Sequence, residues 1–143
     1  MSMVLCLAKM PHPLAERIKA DPELLFQVWN EAEATDAGVA ALDPERDKLL
    51  EDYLGLARIV EANPGRYPWL EKALHGTGVE VDYDYGYGPG FVITALEAAQ
   101  IVEGLAGEGW WRAGEPIVAI DHAIAAFYAS ASRDGHTVIG WIS

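Results

Sequence analysis

Two short apolar segments, one near each end of the chain, constrain the fold more than any other feature of the sequence. Residues 3–8 are apolar at every position and are stopped by Pro11 and Pro13, and residues 136–142 form the second segment. A run that is apolar on both faces and too short for a stable helix is typical of a strand buried within a sheet. We therefore expect both segments to be buried central strands.

Between these segments, the sequence carries repeated helix signals. Pro13 and Pro68 can each open a short helix, and Asp21-Pro22 and Asp43-Pro44 place a proline in the first helical turn after an acidic cap. The second of these signals predicts a helix that continues to residue 62. Its apolar face consists of Leu49, Tyr53, Leu56 and Val60.

The second half of the chain contains two further predicted helices. Thr94 and Glu97 have the spacing of a capping box, which predicts a helix start at that point. Pro116 begins the most regular helical pattern of the chain. Its apolar face comprises Ile117, Ile120, Ala123, Ile124, Phe127, Tyr128 and Ala131.

These elements predict an α+β fold. The chain has 143 residues, the ordinary size of one domain, and no linker or repeat divides it. We expect one domain over residues 1–143, with a small mixed β-sheet, the N- and C-terminal strands buried centrally, and five or six helices packed against it.

Residues 79–87 alternate in a strand pattern that separates two kinds of side chain. Glu80, Asp82 and Asp84 fall on one face, and valines and tyrosines fall on the other. Three interpretations of the acidic row stay open: a solvated edge strand, a docking ridge for a basic partner, and a site for a hard cation. For Tyr83, Tyr85 and Tyr87 we favour core packing over interface contacts, since tyrosine serves both.

Charge and composition exclude some classes of function. The formal net charge is −12, so the surface repels nucleic-acid phosphates, and we expect no nucleic-acid partner. No segment approaches the roughly 20 apolar residues of a membrane span, and no basic stretch precedes the first apolar run as in a signal peptide. We expect a soluble cytoplasmic protein, monomeric or homodimeric, with no membrane partner.

No catalytic or metal-binding pattern stands out. Cys6 is the single cysteine, and the four histidines are dispersed, so we predict no metal and no cofactor. Asp121 and His122 are adjacent on a predicted helix and point in different directions, which disfavours a triad with a serine. We expect His122 to be solvated, and we interpret the glycines at 86, 88 and 90 as a tight turn.

Three segments resemble the YfbM-like family, bacterial single-domain proteins of unassigned function. The chain opens with Met1-Ser2-Met3-Val4, its middle reads Tyr-Gly-Tyr-Gly-Pro-Gly-Phe-Val-Ile-Thr over residues 85–94, and it closes with a helix, Gly135 and an apolar strand. The resemblance implies the family's α+β fold and supplies no catalytic residues.

We therefore interpret the chain as a non-enzymatic protein that binds another, basic protein, with an immunity or antitoxin-like role as the specific form. The predicted contact residues are Glu80, Asp82, Asp84, Tyr85, Tyr87, Trp110 and Trp111. The alternative is a small-ligand-binding or enzymatic domain with a pocket at the Tyr85–Phe91 turn.

Overall fold

One five-stranded β-sheet organises the protein. The computed structural model describes residues 3–85, 87–108 and 118–143. The strands are β1 (Val4–Met10), β2 (Lys48–Asp52), β3 (Glu80–Asp84), β4 (Pro89–Ile93) and β5 (Thr137–Ile142). Their order across the sheet is β2-β1-β5-β4-β3, so the first and last strands of the chain are interior neighbours. The predicted central position of the two terminal segments is confirmed.

The sheet is antiparallel in every described pairing, and the expectation of a mixed sheet is wrong. A continuous apolar run is usual for strands of parallel sheets, whose two faces are both covered. Here an antiparallel sheet is covered on both faces, so the run reflects burial and not strand direction. Here the two ends of the chain run in opposite directions: the backbones of Val4 and Ser143 exchange two hydrogen bonds of 2.9 Å.

Helices cover both faces of the sheet. On one side lie α1 (His12–Ala20), α2 (Leu24–Trp29) and α3 (Ala37–Ala40), with a 3₁₀ turn over Glu31–Glu33 after α2. On the other side lie α4 (Tyr53–Ala62), α5 (Pro68–His75), α6 (Ala95–Glu108) and α7 (Val118–Asp134). The described part of the chain thus has seven α-helices, whereas the sequence predicts five or six. The short α3 was not predicted, because it lies in an alanine-rich stretch with weak periodicity.

Strand alternation separates the interior into two apolar clusters. In β1, Leu5 and Leu7 belong to the cluster under α4–α7, whereas Cys6 and Ala8 belong to the cluster under α1–α3. Successive side chains of a strand point to opposite faces, so each interior strand contributes to both clusters. This is why the terminal segments are apolar at nearly every position.

The helix predicted after Asp43 begins later than expected. Residues 48–52 form the edge strand β2, paired with β1, and α4 starts at Tyr53. Asp43 does cap a turn, since its carboxylate accepts the backbone N–H of Glu45 at 2.9 Å. Pairing with a neighbouring strand overrides the helical spacing of Leu49 and Tyr53, because sheet formation depends on tertiary context.

Two local predictions are confirmed. At the start of α6, the backbone N–H of Thr94 donates to Glu97 at 3.0 Å, and the N–H of Glu97 donates to the Thr94 hydroxyl oxygen at 3.2 Å. This is the reciprocal pattern of a capping box. Of the apolar face predicted for α7, Ile124, Phe127, Tyr128 and Ala131 are buried against the sheet. Ile117 and the side chain of Ile120 lie outside the described residues. The side chain of His122, predicted to be solvated, lies outside the described residues, as does Pro116.

Candidate functional site

A cleft of about 600 Å³ lies on the α2 side of the sheet. One wall is α2 with the turn that follows it, and the other is formed by strand residues and the segment after β3. The lining residues are Cys6, Leu25, Phe26, Trp29, Asn30, Glu33, Leu50, Tyr85, Trp141 and Ser143. The lining includes residues of β1, β2 and β5 and the residue that directly follows β3.

Aromatic rings dominate the cleft and contact one another. The rings of Trp29 and Trp141 lie edge to face with centroids 5.1 Å apart, and the Tyr85 ring lies 6.0 Å from that of Trp141. Phe26 is 5.9 Å from Tyr85 and 5.7 Å from Tyr83. These separations are typical of favourable aromatic pairs, so the rings hold each other in place.

Besides its contacts with other rings, Tyr85 is held by a hydrogen bond and by close packing against a glycine. Its hydroxyl donates to the carbonyl oxygen of Pro22 at 3.2 Å, which ties the end of β3 to the start of the α2 segment. Its ring lies against Gly90, where a Cβ would be 3.2 Å from Cε2. Burial raises the pKa of Tyr85 to about 12, so the hydroxyl stays protonated and remains a donor at neutral pH.

Few polar groups enter the cleft. Asn30 and Glu33 supply an amide and a carboxylate, and Ser143 supplies a hydroxyl. The Cys6 side chain is 5% exposed, and burial raises the pKa of its thiol, so it remains a neutral thiol. The indole Nε1–H of Trp29 is buried and has no hydrogen-bond partner among the described residues. An apolar ring system could make extensive contact with such a lining.

The acidic residues predicted as a docking ridge lie on the outer strand of the sheet. Glu80, Asp82 and Asp84 are exposed in β3, which is an edge strand. The pairing of β3 with β4 shifts register between Val81 and Asp84, so the ladder is irregular where the acidic row lies. The proposed contacts at these residues stay predictions.

The three tyrosines do not share one environment. Val81, in the same alternating row, is fully buried, but Tyr83 is 39% exposed and Tyr87 is 45% exposed. The preference for core packing is therefore wrong for these two rings, because β3 is at the edge and the register shift ends the regular alternation. Tyr85 alone is partly buried against the α1–α3 cluster.

A second, smaller cleft lies at the Tyr85–Phe91 turn, where the sequence analysis placed its alternative pocket. It measures about 180 Å³ and is lined in part by His75, Glu80, Tyr87 and Phe91. His75 Nε2 lies 2.6 Å from the hydroxyl of Tyr53. Burial lowers the pKa of His75, which favours the neutral imidazole.

Several residues of the aromatic cleft were not predicted as site residues. Trp29 lies on the helix that follows Asp21-Pro22, and Trp141 lies in the apolar segment of residues 136–142. Neither position predicts a site residue. Their proximity arises from packing α2 against β5, which no local spacing encodes. Trp110 and Trp111, which were predicted as contact residues, lie outside the described residues.

A buried polar cluster on the opposite face of the sheet has no counterpart among the predictions from sequence. Lys9 continues β1 beyond the predicted run, and its side chain is fully buried. Its ammonium donates to the hydroxyl oxygen of Ser130 and lies 3.3 Å from the Asp134 carboxylate. These contacts satisfy the buried charge and join β1 to the end of α7.

No metal or membrane feature appears in the described part of the chain. Residues 3–85, 87–108 and 118–143 contain no cluster of three or more histidine, cysteine, aspartate or glutamate side chains placed to hold a metal ion. Over the same ranges, no helix has the length and apolar character needed to cross a membrane.

Comparison with known proteins relates the chain to one solved structure. No protein-family model matches the sequence, and no curated protein matches it. The crystal structure of YfbM from Escherichia coli, a protein of unknown function, is similar with a TM-score of 0.56. The likeness covers 98% of this chain and 99% of that protein at 13% sequence identity. The chain therefore has a YfbM-like fold, in agreement with the fold that the sequence resemblance implies.

Proposed function

We propose that the protein binds a small, largely apolar molecule in the aromatic cleft. The observation that supports this is the cleft itself: about 600 Å³ enclosed by four aromatic side chains, Phe26, Trp29, Tyr85 and Trp141. Small-molecule sites are typically concave, mostly apolar and roughly 300–1,000 Å³ in volume. The cleft has these properties.

The exposed apolar residues around the cleft add support. Phe26 is 53% exposed and Leu50 is 55% exposed, and both line the cleft. Exposed apolar surface that is grouped beside a cavity, rather than scattered, is characteristic of a binding site. A bound ligand would remove this surface from water.

A neutral fluorescent dye tests this function. N-phenyl-1-naphthylamine brightens in apolar sites, so titration with wild-type protein should give saturable emission. Leu50→Glu places a charge at the cleft and should weaken the dye by about tenfold, because burying a charged group beside an apolar ligand is unfavourable. Leu96→Glu is the matched control, since Leu96 is 72% exposed on α6, in the other layer.

The outcomes separate the cleft from general surface binding. Saturable binding that Leu50→Glu weakens and Leu96→Glu preserves supports the proposal. Equal binding by all three proteins places the dye elsewhere and contradicts it. Absence of saturable binding to the wild type contradicts it as well.

A second candidate function is binding of a basic protein at β3, in the manner of an immunity or antitoxin protein. The observation that favours it is the exposure of Glu80, Asp82 and Asp84 on an edge strand of a chain with net charge −12. Acidic side chains at an edge also prevent strand association, so exposure alone fits both roles.

Association kinetics distinguish the two roles of the acidic strand. A partner captured from the native host and identified should associate more slowly with Asp82→Lys than with wild type, and added salt should reproduce the slowing. Glu103→Lys makes the same charge change on α6 and should have a smaller effect. Equal association rates for wild type and Asp82→Lys at low and high salt would contradict a docking role for the acidic strand.

A further inference from the structure

The rings of the cleft extend outward to the acidic strand. The Tyr83 ring lies 4.9 Å from that of Tyr85, so the aromatic row continues from the cleft onto β3. In β3, Tyr83 lies between Asp82 and Asp84 in sequence, and both carboxylates are exposed. The aromatic row thus reaches the edge strand, although none of the β3 carboxylates lines the cleft.

The charge inside the cleft has the same sign. Glu33 lines the cleft, and none of the described lining residues is a lysine, arginine or histidine. An anionic ligand would lie against this carboxylate, and the described lining itself offers no cation. A cationic ligand would be attracted by Glu33 and by the net charge of −12.

A cationic side chain of the protein already lies over one of the rings that line the cleft. The Lys48 ammonium lies 5.5 Å from the centroid of a Trp29 ring. Lys48 lines a neighbouring cleft of about 390 Å³, which shares Trp29 and Leu50 with the aromatic cleft. A cation over an indole face is attracted by the negative potential of the ring, and tryptophan is the strongest such partner.

We propose that the ligand of the aromatic cleft is a small organic cation, with its charge on a bulky and weakly hydrated ammonium group. The rings supply the apolar contact area, and Glu33 supplies the charge that selects a cation. This inference rests on the proposed small-molecule function and adds the chemical class of the ligand.

Displacement of the bound neutral dye by three compounds of related shape tests the class of ligand. Phenyltrimethylammonium carries the cation, tert-butylbenzene is its neutral carbon analogue, and 4-tert-butylbenzoate is an anion of similar shape. We expect the cation to displace the dye at a concentration about tenfold below that of the neutral compound, with the anion weakest of the three.

Three charge variants localise the effect. Glu33→Gln should remove most of the preference for the cation and leave displacement by tert-butylbenzene unchanged. Glu103→Gln removes the same charge from α6, outside the cleft, and should preserve the preference. Lys48→Gln should strengthen binding of the cation, because it removes a competing positive charge from the Trp29 ring.

The results distinguish the two proposals. A preference for the cation that Glu33→Gln abolishes and Glu103→Gln retains supports the inference. Equal displacement by the neutral and cationic compounds overturns the inference and leaves the small-molecule function intact. Displacement by tetralysine as effective as that by phenyltrimethylammonium also overturns it, because charge alone would then explain binding. Failure of the dye itself to bind the wild type contradicts the proposed function.

Discussion

Gly140, on the interior strand β5, is the position where we expect a single added methyl group to be most informative. In the sheet it lies opposite Leu7 on β1 and Phe91 on β4. A Cβ built at Gly140 would be 2.3 Å from Phe91 Cζ and 2.8 Å from Leu7 Cδ2. Both distances are well below van der Waals contact, so the Phe91 ring occupies the space that a side chain at residue 140 would need.

The expected cost follows from two opposing effects. Overpacking a buried site costs roughly 1–3 kcal/mol, because neighbouring side chains are forced from their preferred rotamers. Replacing glycine with alanine within a strand returns about 0.5–1 kcal/mol of backbone entropy. We therefore expect Gly140→Ala to lower the free energy of unfolding by about 1–2 kcal/mol.

Urea denaturation measures this change, and two further variants identify its cause. Gly107→Ala is the control, because no atom lies within 4 Å of its added Cβ, and it should cause no loss of stability. Phe91→Leu in the Gly140→Ala protein should cost less than Phe91→Leu in the wild type, since the two positions are coupled through one space. Additive effects of the two substitutions, or a Gly140→Ala protein as stable as wild type, would refute this packing account.

Three other predictions concern single contacts. Thr94→Ala should lower the free energy of unfolding by about 1 kcal/mol because α6 loses its N-cap, whereas Thr94→Ser should retain stability. Urea denaturation measures both variants, and equal free energies of unfolding for the two would argue against the cap. Burial lowers the pKa of His75, so near pH 6 the unfolded state binds more protons than the folded state. The contribution of His75 to the free energy of unfolding should be complete above about pH 6.5 and should fall at lower pH. An NMR titration of the His75 ring that gives an ordinary or raised pKa would contradict this. Lys9→Met should change the free energy of unfolding by less than about 1 kcal/mol or raise it. Ser130→Ala should lower it by about 1–3 kcal/mol, because the buried ammonium loses one of its two described acceptors. The opposite order in denaturation experiments would show that the ion pair dominates.

Sequence reasoning succeeded where the signal was local. The capping box of Thr94 and Glu97 requires only residues within one helical turn, and the structure contains both of its hydrogen bonds. The terminal apolar segments were recognisable as interior strands because burial on both faces leaves almost no polar position. The fold class followed from these elements.

Strand direction and the position of β2 could not be obtained in the same way. Leu49 and Tyr53 have a helical spacing, but residues 48–52 pair with β1. The preference for a strand comes from the neighbour and not from the segment itself. Lys9 was similarly missed, because its partners Ser130 and Asp134 are on a helix far along the chain.

The aromatic cleft required the tertiary structure. Trp29, Tyr85 and Trp141 come from α2, from the segment after β3, and from β5, and they meet only once α2 packs on the sheet. Sequence reasoning identified Tyr85 and the apolar character of the two tryptophans. It placed the pocket at the neighbouring turn because clustered glycines and tyrosines are visible there in sequence.

NMR of the tryptophan side chains tests the central claim most directly. The indole Nε1–H groups give separate signals in a ¹H–¹⁵N spectrum, and titration with N-phenyl-1-naphthylamine should shift those of Trp29 and Trp141 in a saturable manner. Trp69 packs against the cluster on the opposite face of the sheet, so its signal should stay fixed. Movement of the Trp69 signal with those of Trp29 and Trp141 unchanged, or no movement of any of the three, would contradict a ligand site in the aromatic cleft.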